Sequence, residues 1–542
     1  MKIINPVIRG FNPDPSLLRV DDDYYIANST FHWFPGVQIH HSKDLINWEL
    51  IEKPLDSKRL LDMTGVPDSG GVWAPDLTYA DGKFWLVYSN VKSMRGAFKD
   101  TPNFLTTAEN IHGPWSDPIY LNSNGFDASL FHAPDGKKYL INMVWDQRNY
   151  HHQFNGIQLR EYSVAEEKLV GEPHIIWNGT ADKITEGPHL YYINNYYYLF
   201  CAQGGTNWPH QEVVARATDL LGDYEVEPGE ALLTAMDASH NYLQKCGHGS
   251  LIETPDHEWY LAHLMARPLH HPNESVIEPR GWAPLGRETS IQKIEWDEAG
   301  WPHVVGGKAG SREVAAPRSV TTAGTPINNM LKTDFDDDQL DINLNTLRLP
   351  KEELGVSLTD RPGYLRLYGR ESLSSLFNVA LVAHRWQAFD FEAVTKVAYR
   401  PTNYQQMAGV VNYYDTTNYT AAYITYNEVQ GRCIEVLSCD AENFTFYLKD
   451  NAIQIPDDVT AVYLKTAVRH ENYTYAYSFD GQKWQTIPVT FDSLKLSDDY
   501  ILMNYGGYAF FTGAFTGVFS SDLTGSQLPA DFDYFEYQEQ TE

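Results

Sequence analysis

The sequence predicts an all-β protein, a five-bladed β-propeller followed by a jelly-roll β-sandwich. Three observations support this prediction. Tyr (35), Phe (24) and Trp (14) recur in short alternating runs that end in hairpin turns. One pattern, a polar residue followed by a strand, an acidic turn and an aromatic strand, occurs repeatedly in the first part of the chain. After about residue 330 the strands continue in a different rhythm without that polar residue, as in a sandwich.

Five copies of the pattern predict five propeller blades. The copies are DPSLLRVDDDYYIA, DLTYADGKFWLVY, DASLFHAPDGKKYLIN, EGPHLYYINNYYYLF and HGSLIETPDHEWYLAH, which begin at Asp14, Asp76, Asp127, Glu186 and His248. Their first residues are 62, 51, 59 and 62 positions apart, a period that suits a four-stranded blade. Because the inner strands of all blades surround one axis, we expect these side chains to converge there. Four acids so placed would repel each other unless they are protonated, paired or used in chemistry.

Composition divides the chain into three parts. Residues 1–305 contain the repeats and form the predicted catalytic propeller. Residues 306–329 begin with GGKAGSREVAAPRSVTTAGTP, which lacks aromatic residues and predicts a linker or a strap on the surface. Residues 330–542 alternate over many short strands and predict a β-sandwich that packs on the propeller.

Charge and composition exclude several classes of function. The formal net charge of −30 argues against nucleic acid or an anionic membrane as a partner, because both would be repelled. The N-terminus lacks the pattern of a signal peptide, and no window approaches the roughly 20 apolar residues of a membrane span, so we expect a cytoplasmic protein. The four cysteines have no CxxC spacing and predict neither a disulfide framework nor a zinc site.

Several short motifs along the propeller resemble glycoside hydrolase family 43, and the most similar branch is the β-xylosidases with an appended β-sandwich. The motifs are NPDPS at 12–16, HSKDLINW at 41–48, WAPD at 73–76, FDASLF at 126–131, TEGPHL at 185–190, GHGS at 247–250 and LGRE at 285–288. The resemblance implies Asp14 as the general base, Glu186 as the general acid and Asp127 as the residue that orients the acid and tunes its pKa. It also implies a homo-oligomer, either a dimer or a tetramer.

The chemistry of glycoside hydrolysis agrees with these roles. One carboxylic acid protonates the leaving oxygen, and in an inverting enzyme a carboxylate about 6.5–9.5 Å away activates water on the opposite face of the sugar. Blades one and four would place Asp14 and Glu186 across an axial pocket from each other. Arg287 in LGRE is the candidate cation that keeps Asp14 ionised or binds sugar hydroxyls. The alternative for Arg287 is a structural ion pair with the neighbouring glutamate.

Aromatic side chains are expected to form the walls of a sugar pocket. Phe31 in STFHWFPG, Trp73 with Ala74 in WAPD, and Trp145 in NMVWDQ lie beside the predicted inner hairpins. The segment NYGGYAFFTGAF (504–515) of the sandwich is the predicted loop over the pocket, with Phe510 or Phe511 as its cap. The alternative for each of these aromatic residues is packing in a core.

His248 in GHGS has two interpretations. Family members place a histidine of this motif near a calcium ion on the propeller axis, so the resemblance implies that His248 contacts substrate and a structural calcium bound mostly by water. The alternative is a buried histidine hydrogen-bonded to water or to an axial acid. In neither case does the chemistry require a cofactor.

The predicted function is that of an exo-acting, inverting β-1,4-xylosidase that acts on short xylo-oligosaccharides, with α-L-arabinofuranosidase as a side activity. The alternatives are an enzyme that is mainly an α-L-arabinofuranosidase and a glycan-binding propeller without catalysis. The three carboxyl residues argue against the second alternative, because binding alone does not need them. Family 32 fructosidases are excluded, because the sequence contains no RDP motif and has NPDPS where they have an NDPNG-like segment.

Overall fold

The computed structural model of the protein describes residues 1–182, 184–229, 231–274, 280–322, 330–505 and 510–540, except for the side chains of Asp450 and Tyr505. This part of the chain is almost entirely β-structure. One α-helix and two 3₁₀ turns accompany the strands, at Asp498–Tyr505, Lys449–Asn451 and Ser493–Lys495. No helix among these residues has the length and apolar character needed to cross a membrane.

Five antiparallel sheets form the propeller, one from each sequence repeat, which confirms the predicted fold class. Blade I consists of Ser16–Val20, Asp23–Asn28, Gln38–Ser42 and Glu49–Glu52. Blade II consists of Gly71–Ala80, Lys83–Val91, Asn103–Ala108 and Ile119–Asn122. Blade III consists of Ser129–His132, Lys138–Trp145, Phe154–Ser163, Lys168–Leu169 and His174–Trp177. Blade IV consists of Thr185–Ile193, Tyr196–Gln203, Gln211–Ala217, Glu225–Val226 and Leu233–Thr234. Blade V consists of Gln244–Glu253, Trp259–Ala266, Glu288–Trp296 and Pro302–Val304.

Tight turns connect the first two strands of the blades, where the sequence places Asp, Asn and Gly. In blade II, Asp81 and Gly82 have φ of 55° and 76° between the paired residues Ala80 and Lys83. In blade IV the two-residue turn is Asn194-Asn195, with φ of 49° and 65°. Two-residue hairpin loops with positive φ match the twist of the flanking strands, and Asn, Asp and Gly adopt this conformation most readily. The local sequence therefore fixes the two-residue hairpins that begin blades II and IV.

The N-terminal strand packs against the segment that follows blade V. Lys2–Ile4 pairs antiparallel with Glu313–Ala315, and Val314 is buried there. These residues belong to the stretch 306–329 that the sequence predicts to be a linker or strap, of which residues 323–329 lie outside the described part. The strand Glu313–Ala315 thus holds the first residues of the chain against the last blade.

The sandwich consists of two antiparallel sheets. The first sheet contains Met330–Thr333, Val356–Ser357, Leu365–Tyr368, Asp390–Ala398, Val462–Arg469, Asn472–Ser478, Gln485–Asp492 and Pro529–Glu539. The second contains Ala380–Arg385, Gln406–Asp415, Asn418–Asn427, Gly431–Asp440, Asn443–Phe446, Ile453–Gln454 and Phe515–Asp522. Buried and partly exposed residues alternate along Asp390–Ala398, so one face of that strand lies in the core.

The sandwich packs directly on the propeller. Thr346–Leu347 pairs with Trp33–Phe34 across the two domains. The Trp33 ring stacks on Phe515 with centroids 3.7 Å apart, and both side chains are buried. A buried ion pair joins Arg348 Nη2 to Asp68 Oδ1 at 2.6 Å. Paired strands, stacked rings and a buried ion pair therefore fix the sandwich beside the opening of the propeller.

Candidate active site

A cavity of about 240 Å³ lies between the propeller axis and the sandwich. Four of the five repeated polar residues reach it, and aromatic side chains from three blades and the sandwich form much of its wall. The lining residues are Asp14, Phe31, Trp73, Lys99, Phe126, Asp127, Trp145, Glu186, Gly205, Thr206, His248, Arg287, Phe510 and Phe511. The structure therefore brings together nearly all the residues that the sequence selects.

The polar residues of the cavity are held by an unusual backbone. Asp14, Asp127 and His248 have φ of 52°, 53° and 54°, a left-handed conformation that non-glycine residues seldom adopt. Glu186 precedes Gly187, whose φ is 56°, and the pairing register of its strand shifts at this point. Such irregularities turn side chains away from the regular alternation of a strand and occur frequently at functional sites. The backbone thus aims these four side chains at one space.

Asp14 is buried between cationic and hydroxyl partners. Its Oδ1 accepts a hydrogen bond from Arg287 Nη1 at 2.9 Å, and its Oδ2 accepts one from Ser29 Oγ at 2.7 Å. Burial by itself would raise the pKa of Asp14, but Arg287, His248 and the Ser29 hydrogen bond lower it below the usual value. Asp14 is therefore ionised at neutral pH, as a general base must be.

Glu186 has the opposite electrostatic environment. Burial and the negative charge of Asp14 raise the pKa of Glu186 to about 7, although Arg287 and Lys99 oppose the shift. The Asp127 carboxylate accepts a hydrogen bond from the backbone N–H of Gly187 at 3.1 Å, so it holds the chain next to Glu186. Burial and the charge of Glu186 raise the pKa of Asp127 well above its usual value. Glu186 can thus carry a proton near neutral pH.

Arg287 binds the carboxylate of Asp14 rather than that of its sequence neighbour Glu288. Glu288 instead pairs with Arg267 at 2.6 Å and accepts a hydrogen bond from the N–H of Gly10. Besides its bond to Asp14, Arg287 donates from Nη2 to the carbonyl of Phe511 at 3.1 Å. The structural alternative for Arg287, a pair with Glu288, does not occur.

The aromatic side chains form a continuous wall. Phe511 lies 5.9 Å from Phe31 and 5.6 Å from Trp73 between ring centroids, and Trp73 lies 5.2 Å from Phe126. Phe126 in turn contacts Trp145, with centroids 6.2 Å apart. Flat rings of this kind suit the C–H faces of a sugar.

The predicted aromatic residues lie where the sequence suggests, with one exception. Phe31, Trp73, Trp145, Phe510 and Phe511 all line the cavity. Ala74 is buried in the strand Gly71–Ala80, and the residues described around the cavity do not include it. The WAPD motif predicts a place for Ala74 at the cavity, but its small side chain is buried inside the protein instead. Residues 506–509 of the predicted loop lie outside the described part.

Four lining residues were missed by the sequence analysis. Phe126 belongs to the quoted motif FDASLF and could have been selected, because it directly precedes Asp127. Lys99, Gly205 and Thr206 lie in connecting segments with no distinctive motif. Lys99 Nζ lies 4.4 Å from the centre of the Trp145 ring, so the loop of blade II brings a positive charge to the wall. The contact between Lys99 and Trp145 depends on the path of the loop, and no sequence motif predicts it.

Asp76 is the one repeated acid that does not reach this cavity. The pairing register of its strand shifts between Trp73 and Asp76, so Trp73 faces the cavity instead. Asp76 lines a second cavity of about 330 Å³ toward the other end of the inner strands. There it accepts hydrogen bonds from Ser16 Oγ at 3.0 Å and from the N–H of Leu130 at 2.8 Å. Asp76 therefore joins three blades rather than serving the site.

His248 lies between Asp14 and Gly187. Its Nδ1 is 3.6 Å from Asp14 Oδ1, and a Cβ atom at Gly187 would lie 2.6 Å from its Nε2, so only glycine fits beside the ring. Burial lowers the pKa of His248 to about 4, although the charge of Asp14 opposes the shift. The side chain is thus a buried, neutral histidine at neutral pH.

The groups around His248 are a poor match for calcium on their own. Calcium binds about six to eight oxygen ligands. Among the described residues no three His, Cys, Asp or Glu side chains form a group that could hold a metal. The Asp14 oxygen beside His248 already accepts a hydrogen bond from Arg287, whose charge would repel a cation. Protein side chains alone therefore do not make a calcium site here.

Two family descriptions match the chain. "Glycosyl hydrolases family 43" matches residues 3–302, and "Beta xylosidase C-terminal Concanavalin A-like domain" matches residues 332–538. The β-xylosidase of Bacillus subtilis (strain 168) is 53% identical over 540 residues, which cover 99% of this chain and 100% of the relative. Xylosidase/arabinosidase 43B of Humicola insolens is 41% identical, with 99% of this chain and 98% of the relative covered. The crystal structure of xylan β-1,4-xylosidase from Bacillus halodurans C-125 superposes with a TM-score of 0.93 at 46% identity, covering 99% of this chain and 100% of that one.

Proposed function

Because the chain belongs to glycoside hydrolase family 43, we propose that it removes β-1,4-linked D-xylose from the non-reducing ends of short xylo-oligosaccharides. The observation that carries this proposal is the carboxyl pair in one cavity: Asp14 is held ionised, and Glu186 has a pKa raised to about 7. Hydrolysis of a glycosidic bond requires one group of each kind. Similarity to proteins named β-xylosidase supports xylose as the sugar.

The proposed mechanism is a single displacement with inversion. Glu186 gives its proton to the glycosidic oxygen as the bond from that oxygen to the anomeric carbon breaks. Asp14 accepts a proton from the water whose oxygen forms the new bond to the anomeric carbon on the opposite face. Asp127 keeps Glu186 in place through the N–H of Gly187. After the reaction Glu186 is ionised and Asp14 is protonated, and exchange with solvent restores both.

The shape of the cavity supports attack at a chain end. Phe510 and Phe511 of the sandwich form one side, and Phe31 and Trp73 of the propeller form another. A space of about 240 Å³ walled on several sides suits a terminal sugar better than the interior of a long polymer. The enzyme therefore acts on oligosaccharide ends and releases one xylose at a time.

A side activity on α-L-arabinofuranosides is part of the proposal. The two sugars present similar hydroxyl groups to the pocket, and the Humicola insolens relative is named for both activities. We propose xylose as the main substrate, because the relatives at higher identity are named for xylose alone. A glycan-binding protein without catalysis would not need the oppositely tuned pKa values of Asp14 and Glu186.

Three further predictions belong to this proposal. A structural calcium near His248 would be bound mostly by water; treatment with a chelator should then lower the melting temperature or activity, and added calcium should restore it. A metal-free sample with full activity and unchanged stability would reject this ion.

We also propose a dimer or tetramer, to be measured by light scattering. The proposed location is the cytoplasm, to be tested by cell fractionation.

The deciding experiment compares two substrates and then follows one reaction by NMR. The purified chain should hydrolyse nitrophenyl β-xyloside faster than nitrophenyl α-L-arabinofuranoside. With xylotriose, α-xylose and xylobiose should be the first products. Early β-xylose would contradict inversion, because it requires a covalent intermediate and a shorter distance between the carboxyl groups. Rapid internal cleavage of long xylan would contradict exo-action, and no glycosidase activity on either substrate would reject the proposed function.

A further inference from the structure

Ser69 connects Phe511 of the sandwich to His32 and Trp73 of the propeller through three hydrogen bonds. Its backbone N–H donates to His32 Nδ1 at 3.0 Å, and its carbonyl accepts from Trp73 Nε1 at 2.7 Å. Its hydroxyl oxygen accepts from the backbone N–H of Phe511 at 3.1 Å. Ser69 is fully buried and has a φ of 59°, so its neighbours hold it in a conformation that serine seldom adopts. Its side chain thus fixes the backbone of a sandwich residue inside the propeller cavity.

The same backbone unit reaches the proposed base on its other side. The carbonyl of Phe511 accepts a hydrogen bond from Arg287 Nη2 at 3.1 Å, and Arg287 Nη1 donates to Asp14 Oδ1 at 2.9 Å. The Nε of Arg287 is buried without a hydrogen-bond partner among the described residues, so these two bonds carry the orientation of the guanidinium. A displacement of Phe511 therefore changes the position of Arg287 relative to Asp14.

The loop around Ser69 is itself fastened to the sandwich. Asp68 accepts hydrogen bonds from Arg348 Nη2 at 2.6 Å and from the N–H and hydroxyl of Thr416. Arg348 and Thr416 belong to the sandwich, so this ion pair anchors the loop independently of Phe511. The anchor through Asp68 and the contact through the Ser69 hydroxyl can therefore be tested separately.

We propose that Ser69 is a positioning residue for the hydrolysis reaction: its hydroxyl holds Phe511, whose carbonyl holds Arg287 against Asp14. The sandwich then contributes to the orientation of the base as well as to the wall of the pocket. Ser69 does not touch the substrate in this proposal. The inference rests on the proposed function, because it assigns Asp14 to the activation of water.

The test is a set of single and double variants assayed with nitrophenyl β-xyloside. Ser69→Ala removes the hydroxyl and keeps both main-chain bonds, including the one to Trp73. We expect kcat to fall about 3- to 30-fold with KM changed less than about 3-fold, because a misplaced base affects the chemical step while the Phe511 ring keeps its contacts with Phe31 and Trp73. Ser69→Gly should give the same result, since glycine removes the hydroxyl and suits the positive φ even where alanine folds poorly.

Two controls separate positioning from a structural role. Thr416→Val breaks a bond to Asp68 in the same loop and leaves the hydroxyl contact with Phe511 in place. It should lower the melting temperature with kcat within about 2-fold of the wild type. In an Arg287→Met background, Ser69→Ala should reduce kcat by less than about 2-fold further, because residues that act through one another are non-additive.

Each contrary result is informative. A folded Ser69→Ala variant with wild-type kcat would overturn the proposal. The proposal would also be overturned if Thr416→Val lowered kcat as much as Ser69→Ala does. It would likewise be overturned if Ser69→Ala lowered kcat in the Arg287→Met background by the same factor as in the wild type. These outcomes are distinct from failure of the proposed function, which the wild-type chain would reveal by hydrolysing neither nitrophenyl substrate.

Discussion

Arg287 Nη1 lies 2.9 Å from Asp14 Oδ1, although 273 positions separate the two residues in the chain. This contact joins the first blade to the last, and it keeps a buried carboxylate charged. Across the same cavity Glu186 has its pKa raised to about 7 by burial and by the charge that Arg287 helps to maintain on Asp14. A single ion pair therefore helps to set both protonation states that the proposed reaction requires.

The first prediction concerns the roles of the two carboxyl groups. Asp14→Ala and Glu186→Ala should each reduce kcat on xylobiose by orders of magnitude, because each removes one partner of the displacement. A substrate with a good leaving group should restore much of the activity of Glu186→Ala, since that group departs with little protonation. The same substrate should not restore the activity of Asp14→Ala. Steady-state kinetics on aryl xylosides of graded leaving-group pKa measure the difference.

Asp76→Asn is the matched control for this prediction. Asp76 occupies the equivalent place in the second repeat, but it lines the other cavity. The amide oxygen can accept the bond from the N–H of Leu130, and the amide N–H can donate to the Ser16 hydroxyl, so kcat should stay within about 3-fold of the wild type. If the alanine variants at Asp14 and Glu186 respond alike to the leaving group, the assignment of acid and base is wrong.

The second prediction concerns the charge of Lys99. This charge opposes the rise in the pKa of Glu186, so its removal should raise that pKa further. The proposed acid Glu186 must be protonated to react, so the alkaline limb of the kcat/KM profile should move to higher pH in Lys99→Met. The methionine keeps much of the apolar contact with Trp145. The pH dependence of kcat/KM on nitrophenyl β-xyloside is the measurement.

Lys83→Met serves as the control for Lys99. Lys83 Nζ lies over the ring of Trp85 at 4.3 Å, a similar cation–aromatic contact in the same blade, and Lys83 is not among the residues that line the cavity. Its pH profile should match that of the wild type. If the alkaline limb of the kcat/KM profile of Lys99→Met stays at the same pH or moves to lower pH, the electrostatic role of Lys99 is contradicted.

The third prediction distinguishes the two sandwich phenylalanines. Phe511 contacts Phe31 and Trp73 and lies 5.8 Å from the guanidinium of Arg287, whereas Phe510 contacts Phe511 and packs against the sandwich core. Phe511→Ala should therefore raise KM for xylobiose about 10-fold, roughly the effect of losing one aromatic wall. Phe510→Ala should raise it less than about 3-fold. Equal effects on KM would show that both rings contact the sugar.

The repeats made most of the propeller and its acids predictable from the sequence. Each copy contains a hairpin whose turn residues tolerate positive φ, and the period of the copies requires them to surround one axis. The sequence alone therefore places Asp14, Asp127, Glu186 and His248 together. The same logic failed for Asp76, because a register shift after Trp73 is invisible to residue spacing.

Contacts between distant segments could not be derived in this way. The sequence could not identify the ion-pair partner of Arg287, because its neighbour Glu288 is an equally suitable candidate. The fold pairs Glu288 with Arg267 instead. Lys99 lies in a long loop whose path brings it to Trp145, and no sequence motif predicts that contact. Ser69 contacts Phe511 across 442 positions, a separation at which local sequence carries no information about pairing.

The last prediction concerns the attachment of the only α-helix among the described residues. Lys245 of blade V donates to Asp499 at 2.7 Å, and both side chains are buried where the helix Asp498–Tyr505 begins. Lys245→Met leaves the Asp499 carboxylate buried without that cation, which should cost about 3–5 kcal/mol of the free energy of unfolding. Lys2→Met breaks an ion pair with Glu313 whose side chains are 66% and 55% exposed, and because solvent screens this pair the free energy of unfolding should hardly change. Thermal melting of both variants at equal protein concentration measures the difference. Because the helix precedes the segment that carries Phe510 and Phe511, Lys245→Met should also raise KM, and a variant with wild-type stability and KM would show that the ion pair does not hold the helix.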